Sequence, residues 1–130
     1  MTTTKRILVI EDEEAVRERI IRMLTFEGYA VDSAADGREG VQRAWSNPPD
    51  LVICDLLMPG INGFGVCRVL REDTRTATIP ALVLTALAAP SERERSHGLG
   101  ANAYVTKPFR ALTLMTAVRQ CLQETDPATP

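Results

Sequence analysis

The stretch PDLVICDLLMPGINGFGV, residues 49–66, decides the fold. Its apolar run LVIC, which begins at Leu51, predicts a short strand that is buried on both faces. The carboxylate of Asp55 follows the run directly, and Gly60 and Gly63 then mark a turn before the next apolar segment. The stretch therefore indicates a buried strand with an acidic group at its carboxyl end.

Four further apolar runs of similar length are found along the chain, and each predicts another buried strand. They are ILVI from Ile7, YAV from Tyr29, ALVL from Ala81 and AYV from Ala103. The segments between the runs are long enough for helices, and residues such as Val16, Ile20 and Leu24 follow the helical period. Five alternations of strand and helix predict a doubly wound α/β fold, with parallel strands joined by right-handed crossovers.

The residues that typically begin and end helices agree with this alternation. Gly28 is placed to end the first helix, and Asp36 with Glu39 three residues later forms a capping-box pattern. The last helix is expected to end near Leu122. We therefore expect one domain over residues 1–124 and a polar tail over 125–130, with no output domain.

Composition excludes several classes of function. The chain has 130 residues, a net charge of -2 and a pI near 5.4, which argue against general attraction to nucleic acid or to an anionic membrane. Its three separated cysteines, Cys54, Cys67 and Cys121, lack the spacing of a zinc or redox motif and are expected to be core thiols. No apolar stretch approaches the ~20 residues of a membrane span and no signal peptide is present, so a reducing cytoplasm is expected.

Acidic residues follow two of the predicted strands. Glu11 and Asp12 come directly after the first strand, and Asp55 ends the third. If these strands are neighbours, the three carboxylates converge and repel one another unless a cation is present. Oxygen ligands suit Mg²⁺, which takes one or two carboxylates together with phosphate oxygens. The cluster therefore predicts a Mg²⁺ site that handles a phosphoryl group, with Asp55 as a plausible nucleophile.

Two other predicted strands end on groups that suit a phosphoryl group. Thr85 follows ALVL and offers a hydroxyl donor, although a threonine there could instead cap a helix. Lys107 follows AYVT and offers an ammonium for a charge-assisted hydrogen bond, although it could be a surface lysine.

From Lys5 to about Leu122 the sequence resembles the receiver family of bacterial response regulators. The resemblance rests on RILVIEDEE, PDLVICDLLMPGINGFGV, IPALVLTA and GANAYVTKPF, in that order and at the intervals expected of the family. It implies a flavodoxin-like (βα)5 fold with a five-stranded parallel sheet in the order 2-1-3-4-5.

The resemblance also implies the acidic site. Asp55 is expected to be the phosphoacceptor, and Glu11 with Asp12 the acidic pair that binds Mg²⁺ together with Asp55 and the backbone carbonyl of Leu57. Glu11 stands where many members have aspartate, so its longer side chain is expected to affect metal affinity rather than role.

Three further expectations concern the switch. The resemblance implies that Thr85 moves toward the phosphoryl group, that Lys107 pairs with it, and that the rotamer of Tyr104 reports the change. It also implies a cis peptide bond between Lys107 and Pro108.

The family accepts its phosphoryl group from a phosphohistidine of a sensor histidine kinase or of a histidine phosphotransfer protein. The resemblance therefore implies a switch that catalyses only its own phosphorylation and dephosphorylation. The start MTTTKRILV and the polar tail lead us to expect a single-domain regulator. We expect a downstream effector protein to bind the segment 88–100, where a fourth helix is predicted, the strand of Tyr104 and the helix that begins near Phe109. Neither direct binding to nucleic acid nor membrane association is expected.

One feature is particular to this sequence. Leu57 and Leu87 lie two residues after Asp55 and Thr85, at positions that flank the phosphoryl group in the family. Neither side chain can orient a water molecule, so we hypothesise that they slow hydrolysis of the acyl phosphate.

Other functions make different demands on the sequence. The chain could be a receiver from a larger regulator or hybrid kinase, or an interaction module that works without phosphorylation. A flavin or nucleotide binder of the same layout would need a phosphate-cradling loop after the first strand, where EDEE is acidic. A haloacid-type phosphatase would need a second acid at Leu57, so turnover of external substrates is not expected.

Overall fold

The computed structural model describes residues 4–86 and 101–123. Five strands form one parallel sheet in the order β2-β1-β3-β4-β5, which confirms the predicted fold class and strand order. The strands are β1 Arg6–Ile10, β2 Ala30–Ala34, β3 Leu51–Asp55, β4 Ala81–Thr85 and β5 Ala103–Thr106. The second strand begins one residue later than the apolar run suggested, because the backbone N–H of Tyr29 donates to the Leu24 carbonyl at the preceding helix end.

Four helices lie within the described residues, and we number them in chain order. They are α1 Glu14–Phe26, α2 Gly37–Ser46, α3 Gly63–Glu72 and α4 Ala111–Cys121. The helix predicted in the segment 88–100 lies outside the described residues, so the helix predicted to begin near Phe109 is α4. None of the described helices combines the length and apolar composition needed to cross a membrane.

The core has two layers, one on each face of the sheet. Alternate residues of β1 separate them: Ile7 and Val9 pack with α1 and α4, whereas Leu8 and Ile10 pack with α2 and α3. The central strands β3 and β4 are buried along their whole length. Such burial is expected of parallel strands covered by helices on both faces, and it explains why these strands read as continuous apolar runs.

The observed helix ends agree with the capping residues predicted from the sequence. Gly28 has a φ of +95° after α1, and Asp36 Oδ1 accepts a hydrogen bond of 2.8 Å from the Glu39 backbone N–H at the start of α2. Asn62 caps α3 in the same way, accepting from the Gly65 backbone N–H at 2.9 Å. The cysteines are free thiols; Cys54 and Cys67 are buried, and burial raises the pKa of the Cys67 thiol to about 11.

Candidate functional site

The carboxyl ends of β1, β3, β4 and β5 lie side by side at one edge of the sheet. Ile10 pairs with Cys54, so the residues that follow them, Glu11 and Asp55, lie next to each other. Thr85 pairs with Thr106, which immediately precedes Lys107. Parallel pairing therefore brings together one polar residue from each of four strands that are far apart in the sequence.

Three carboxylates converge at this edge, as predicted. One oxygen each from Glu11, Asp12 and Asp55 lies within 4.8 Å of the others. Glu11 and Asp55 are buried, whereas Asp12 is exposed, so the cluster opens to solvent on the Asp12 side. An all-oxygen, strongly acidic cluster with one open side fits Mg²⁺, which usually keeps several water ligands.

Lys107 bridges two of these carboxylates. Its Nζ lies 2.7 Å from Glu11 Oε1 and 3.2 Å from Asp55 Oδ2. Burial raises the pKa of Glu11 to about 7; the hydrogen bond from Lys107 opposes that rise, and neighbouring Asp55 adds to it. Burial acts to lower the pKa of Lys107, but the hydrogen bond to Glu11 and the charge of Asp55 outweigh it and the pKa is raised.

The charge of the cluster favours a bound cation. Among residues 4–86 and 101–123, the ammonium of Lys107 contacts two of the three acidic side chains, Glu11 and Asp55, which are also the most buried of them. A buried group of like charges is stabilised by an added positive charge. The residues present are therefore suited to Mg²⁺ both in ligand type and in charge.

Backbone contacts fix the acidic groups. Arg17 donates through Nη1 to the Glu11 carbonyl oxygen at 2.8 Å, and the Glu13 backbone N–H donates to Glu11 Oε2 at 3.3 Å. On the neighbouring strand the Leu57 backbone N–H approaches Asp55 Oδ1 at 3.4 Å. The Leu57 side chain is 53% exposed, so it lies at the rim of the cluster rather than in the core.

Gly63 supports the Asp55 backbone in a way that the sequence did not reveal. Its N–H donates to the Leu56 carbonyl at 2.9 Å, and a Cβ at this position would lie 2.8 Å from Leu56 Cα and 2.9 Å from the Asp55 carbonyl oxygen. The start of α3 can approach the end of β3 this closely only without a side chain. Sequence reasoning identified Gly63 only as a turn residue.

The remaining predicted site residues lie at the same edge or beside it. Thr85 is buried at the end of β4, and its carbonyl oxygen accepts a 2.6 Å hydrogen bond from the Lys107 backbone N–H. The peptide bond between Lys107 and Pro108 is cis. Tyr104 is half-buried on β5 and packs against a cluster that includes Phe64. Leu87 lies outside the described residues.

Comparisons with known proteins agree with this geometry. A family model, the response regulator receiver domain, matches residues 7–119. The chain is 43% identical over 122 residues to the response regulator MprA of Mycolicibacterium vanbaalenii, covering 94% of this chain and 52% of that protein. It is 41% identical over 121 residues to the DNA-binding dual master transcriptional regulator RpaA of Synechocystis, covering 93% and 50%. The chain thus spans about half the length of these curated relatives.

A solved structure provides a comparison for the metal site. The receiver domain of sensor histidine kinase PA1611 from Pseudomonas aeruginosa matches with a TM-score of 0.85 and 29% identity, over 94% of this chain and all of that one. In that crystal structure a magnesium ion is coordinated in the active-site cleft. The same fold therefore holds Mg²⁺ in a similar protein.

Proposed function

Because the chain belongs to the family of response regulator receiver domains, we propose that it is a two-component signalling switch whose phosphoacceptor is Asp55. The observation that carries this proposal is that Asp55 lies beside both an acidic pair and a lysine. Its carboxylate lies beside Glu11 and Asp12 on one side, and Lys107 Nζ approaches it to 3.2 Å. A phosphoryl group joined to Asp55 would thus lie beside the Lys107 ammonium and beside the carboxylates that would hold Mg²⁺.

The proposed reaction is a phosphoryl transfer from a phosphohistidine of a sensor histidine kinase or phosphotransfer protein. A carboxylate oxygen of Asp55 attacks phosphorus and forms a P–O bond, while the P–N bond to the donor imidazole breaks and that nitrogen leaves with the bonding electron pair. Water later hydrolyses the acyl phosphate and restores the carboxylate. The domain in this proposal catalyses only its own phosphorylation and dephosphorylation and is not an enzyme for external substrates.

Glu11, Asp12, Asp55 and the Leu57 backbone carbonyl would hold Mg²⁺ in this site. When bound, the ion supplies positive charge that stabilises the phosphoryl oxygens. The chain's own contribution is orientation: Arg17 and Glu13 hold Glu11 in place through their contacts with its carbonyl and carboxylate oxygens.

Lys107 and Thr85 provide the response to phosphorylation. Addition of roughly 1.5 to 2 negative charges at Asp55 gives Lys107 a stronger acceptor than Glu11 and gives the Thr85 hydroxyl a new acceptor. The Lys107 backbone is joined to Thr85 by a 2.6 Å hydrogen bond, so a shift at either residue is passed to the other. We propose that Tyr104, on the strand that leads to Lys107, changes rotamer in response.

The output surface is proposed to include β5, α4 and the segment 88–100, and to bind an effector by protein contact. The effector is a separate protein in a single-domain regulator, or a further domain of the same polypeptide in a larger one. The curated relatives are about twice as long as the matched region, and the printed name of one describes it as DNA-binding. This domain itself is not proposed to contact nucleic acid.

The test of the proposed function is phosphorylation by a small donor. The protein is incubated with acetyl phosphate and Mg²⁺, and intact-mass analysis is used to detect the gain of one phosphoryl group. We expect an adduct on the wild type and on Asp32→Asn, a surface control in β2, and none on Asp55→Ala or after chelation of Mg²⁺. An interaction module that works without phosphorylation would give no adduct on any of them.

A further inference from the structure

Helix α1 contacts both loops that carry the charged groups of the site. Arg17 donates to the Glu11 carbonyl oxygen in the loop after β1. Two positions further on, Arg19 Nη2 lies 3.4 Å from the Phe109 carbonyl oxygen in the loop after β5, and its guanidinium carbon lies 5.2 Å from the centre of the Phe109 ring. Arg19 therefore contacts both the backbone and the side chain of one residue.

Phe109 is a firm anchor for that loop. Its ring is 7% exposed and packs in the core layer with Val105 and Leu114, between α1 and α4. Lys107 precedes it by two residues, and the Lys107 backbone N–H is bonded to Thr85 on the other side. The turn that carries Lys107 is thus fixed to β4 at one end and to α1 at the other.

The position of this turn matters because of what Lys107 must reach. Its Nζ contacts Glu11 at 2.7 Å and Asp55 at 3.2 Å at the same time. A lysine stem is flexible but has a limited reach, so whether Nζ makes both short contacts depends on where the backbone places the stem. A small displacement of a group that orients a reacting centre reduces the rate without removing any group that touches the substrate.

We infer that Arg19 is a positioning residue for phosphoryl transfer, which acts through Phe109 to hold the turn from which Lys107 reaches Glu11 and Asp55. The kinetic part of this inference rests on the proposed function of Asp55. The geometric part, that Arg19 determines where Lys107 lies, does not.

The kinetic test measures the rate of phosphorylation by acetyl phosphate with Mg²⁺. Arg19→Ala is expected to lower this rate about two- to fivefold, the factor that corresponds to loss of an exposed cation–π contact. Arg19→Lys keeps a cation over the ring and should recover part of the loss. Arg22→Ala is the matched control, because Arg22 lies on the same helix in a groove beside Phe26 and should leave the rate unchanged.

A double variant separates positioning from a general effect on stability. If Arg19 acts through Lys107, adding Arg19→Ala to Lys107→Met should produce no further loss of rate, because the group that was positioned is absent. If the two losses multiply, or if Arg19→Ala has the wild-type rate, the inference is overturned.

A second measurement is independent of phosphorylation. In amide NMR spectra of the unphosphorylated protein, Arg19→Ala should shift the resonances of Lys107 and Phe109, and Arg22→Ala should leave them in place. If the wild type accepts no phosphoryl group, the proposed function fails and these spectra still decide the geometric inference. Unchanged Lys107 and Phe109 resonances in Arg19→Ala would overturn it.

Discussion

Lys107 Nζ lies 2.7 Å from Glu11 Oε1, although the two residues are 96 positions apart in the sequence. The Glu11 side chain is fully buried and that of Lys107 is 17% exposed, so water screens this ion pair only weakly. Lys107 thus contacts carboxylates that Mg²⁺ would use. In the unphosphorylated site, the Lys107 ammonium and Mg²⁺ would compete for these carboxylates.

This competition predicts how substitution of Lys107 changes the affinity for Mg²⁺. Lys107→Met should raise the affinity for Mg²⁺ roughly five- to tenfold, since loss of one nearby positive charge is worth about 1 kcal/mol. Titration of Mg²⁺ into the protein, followed by NMR or calorimetry, measures the change. Lys5→Met is the control, because Lys5 is exposed and precedes β1 at the opposite edge of the sheet. Equal or weaker affinity in Lys107→Met would show that the ammonium does not compete with the ion.

The close approach of Gly63 to the end of β3 predicts that alanine substitution costs more stability at Gly63 than at Gly65, another glycine of α3. Gly63→Ala should lower the free energy of unfolding by about 1–3 kcal/mol, as expected for overpacking against backbone atoms. At Gly65 the one close contact of the added Cβ would be the Ile61 side chain at 2.7 Å, which can move, so Gly65→Ala should cost much less. Urea unfolding of the two variants gives the comparison, and similar losses would contradict the proposed role of Gly63.

We expect Leu57 to lengthen the lifetime of the phosphorylated state. Its side chain is half-exposed at the rim of the site and cannot orient a water molecule, so Leu57→Asn should speed hydrolysis of the acyl phosphate severalfold. Loss of the phosphoryl adduct after removal of acetyl phosphate measures the rate. Ile61→Asn introduces the same amide elsewhere on the loop and should retain the wild-type lifetime. An unchanged or longer lifetime in Leu57→Asn would refute the shielding hypothesis.

The cap of α2 provides a prediction that is separate from the site. Asp36→Ala removes the acceptor for the Glu39 backbone N–H and should lower the free energy of unfolding by about 1 kcal/mol. Phosphorylation by acetyl phosphate should continue at the wild-type rate. A large loss of phosphorylation in this variant would show that the site depends on α2 more than its contacts indicate.

Features with a local cause were predictable from the sequence. Leu51 to Cys54 form a buried strand because the run is short, apolar and ended by an acid, and Asp36 caps a helix because its oxygen reaches an N–H three residues away. The meeting of Glu11 with Asp55 followed from the rule that parallel strands end at one edge. The strand order itself came from the family resemblance.

Contacts between residues far apart in the sequence were not predictable in the same way. Lys107 was expected to pair with a phosphoryl group and to offset negative charge in the site, but its hydrogen bond to Glu11 depends on how the turn after β5 lies against the end of β1. The contact of Arg19 with Phe109 depends on how α1 and the loop after β5 lie in space, and a single arginine on a helix surface gives no signal for it. The hypothesis for Leu87 remains a prediction, because that residue lies outside the described part of the chain.

The most direct test of the central claim is to locate the phosphoryl group on the chain. After incubation with acetyl phosphate and Mg²⁺, borohydride reduces an acyl phosphate to the alcohol, and peptide mass analysis then identifies the altered residue. We predict reduction at Asp55 and at no other carboxylate. Modification at Asp12 or Glu11 in place of Asp55, or a phosphoryl group that resists borohydride, would contradict the account.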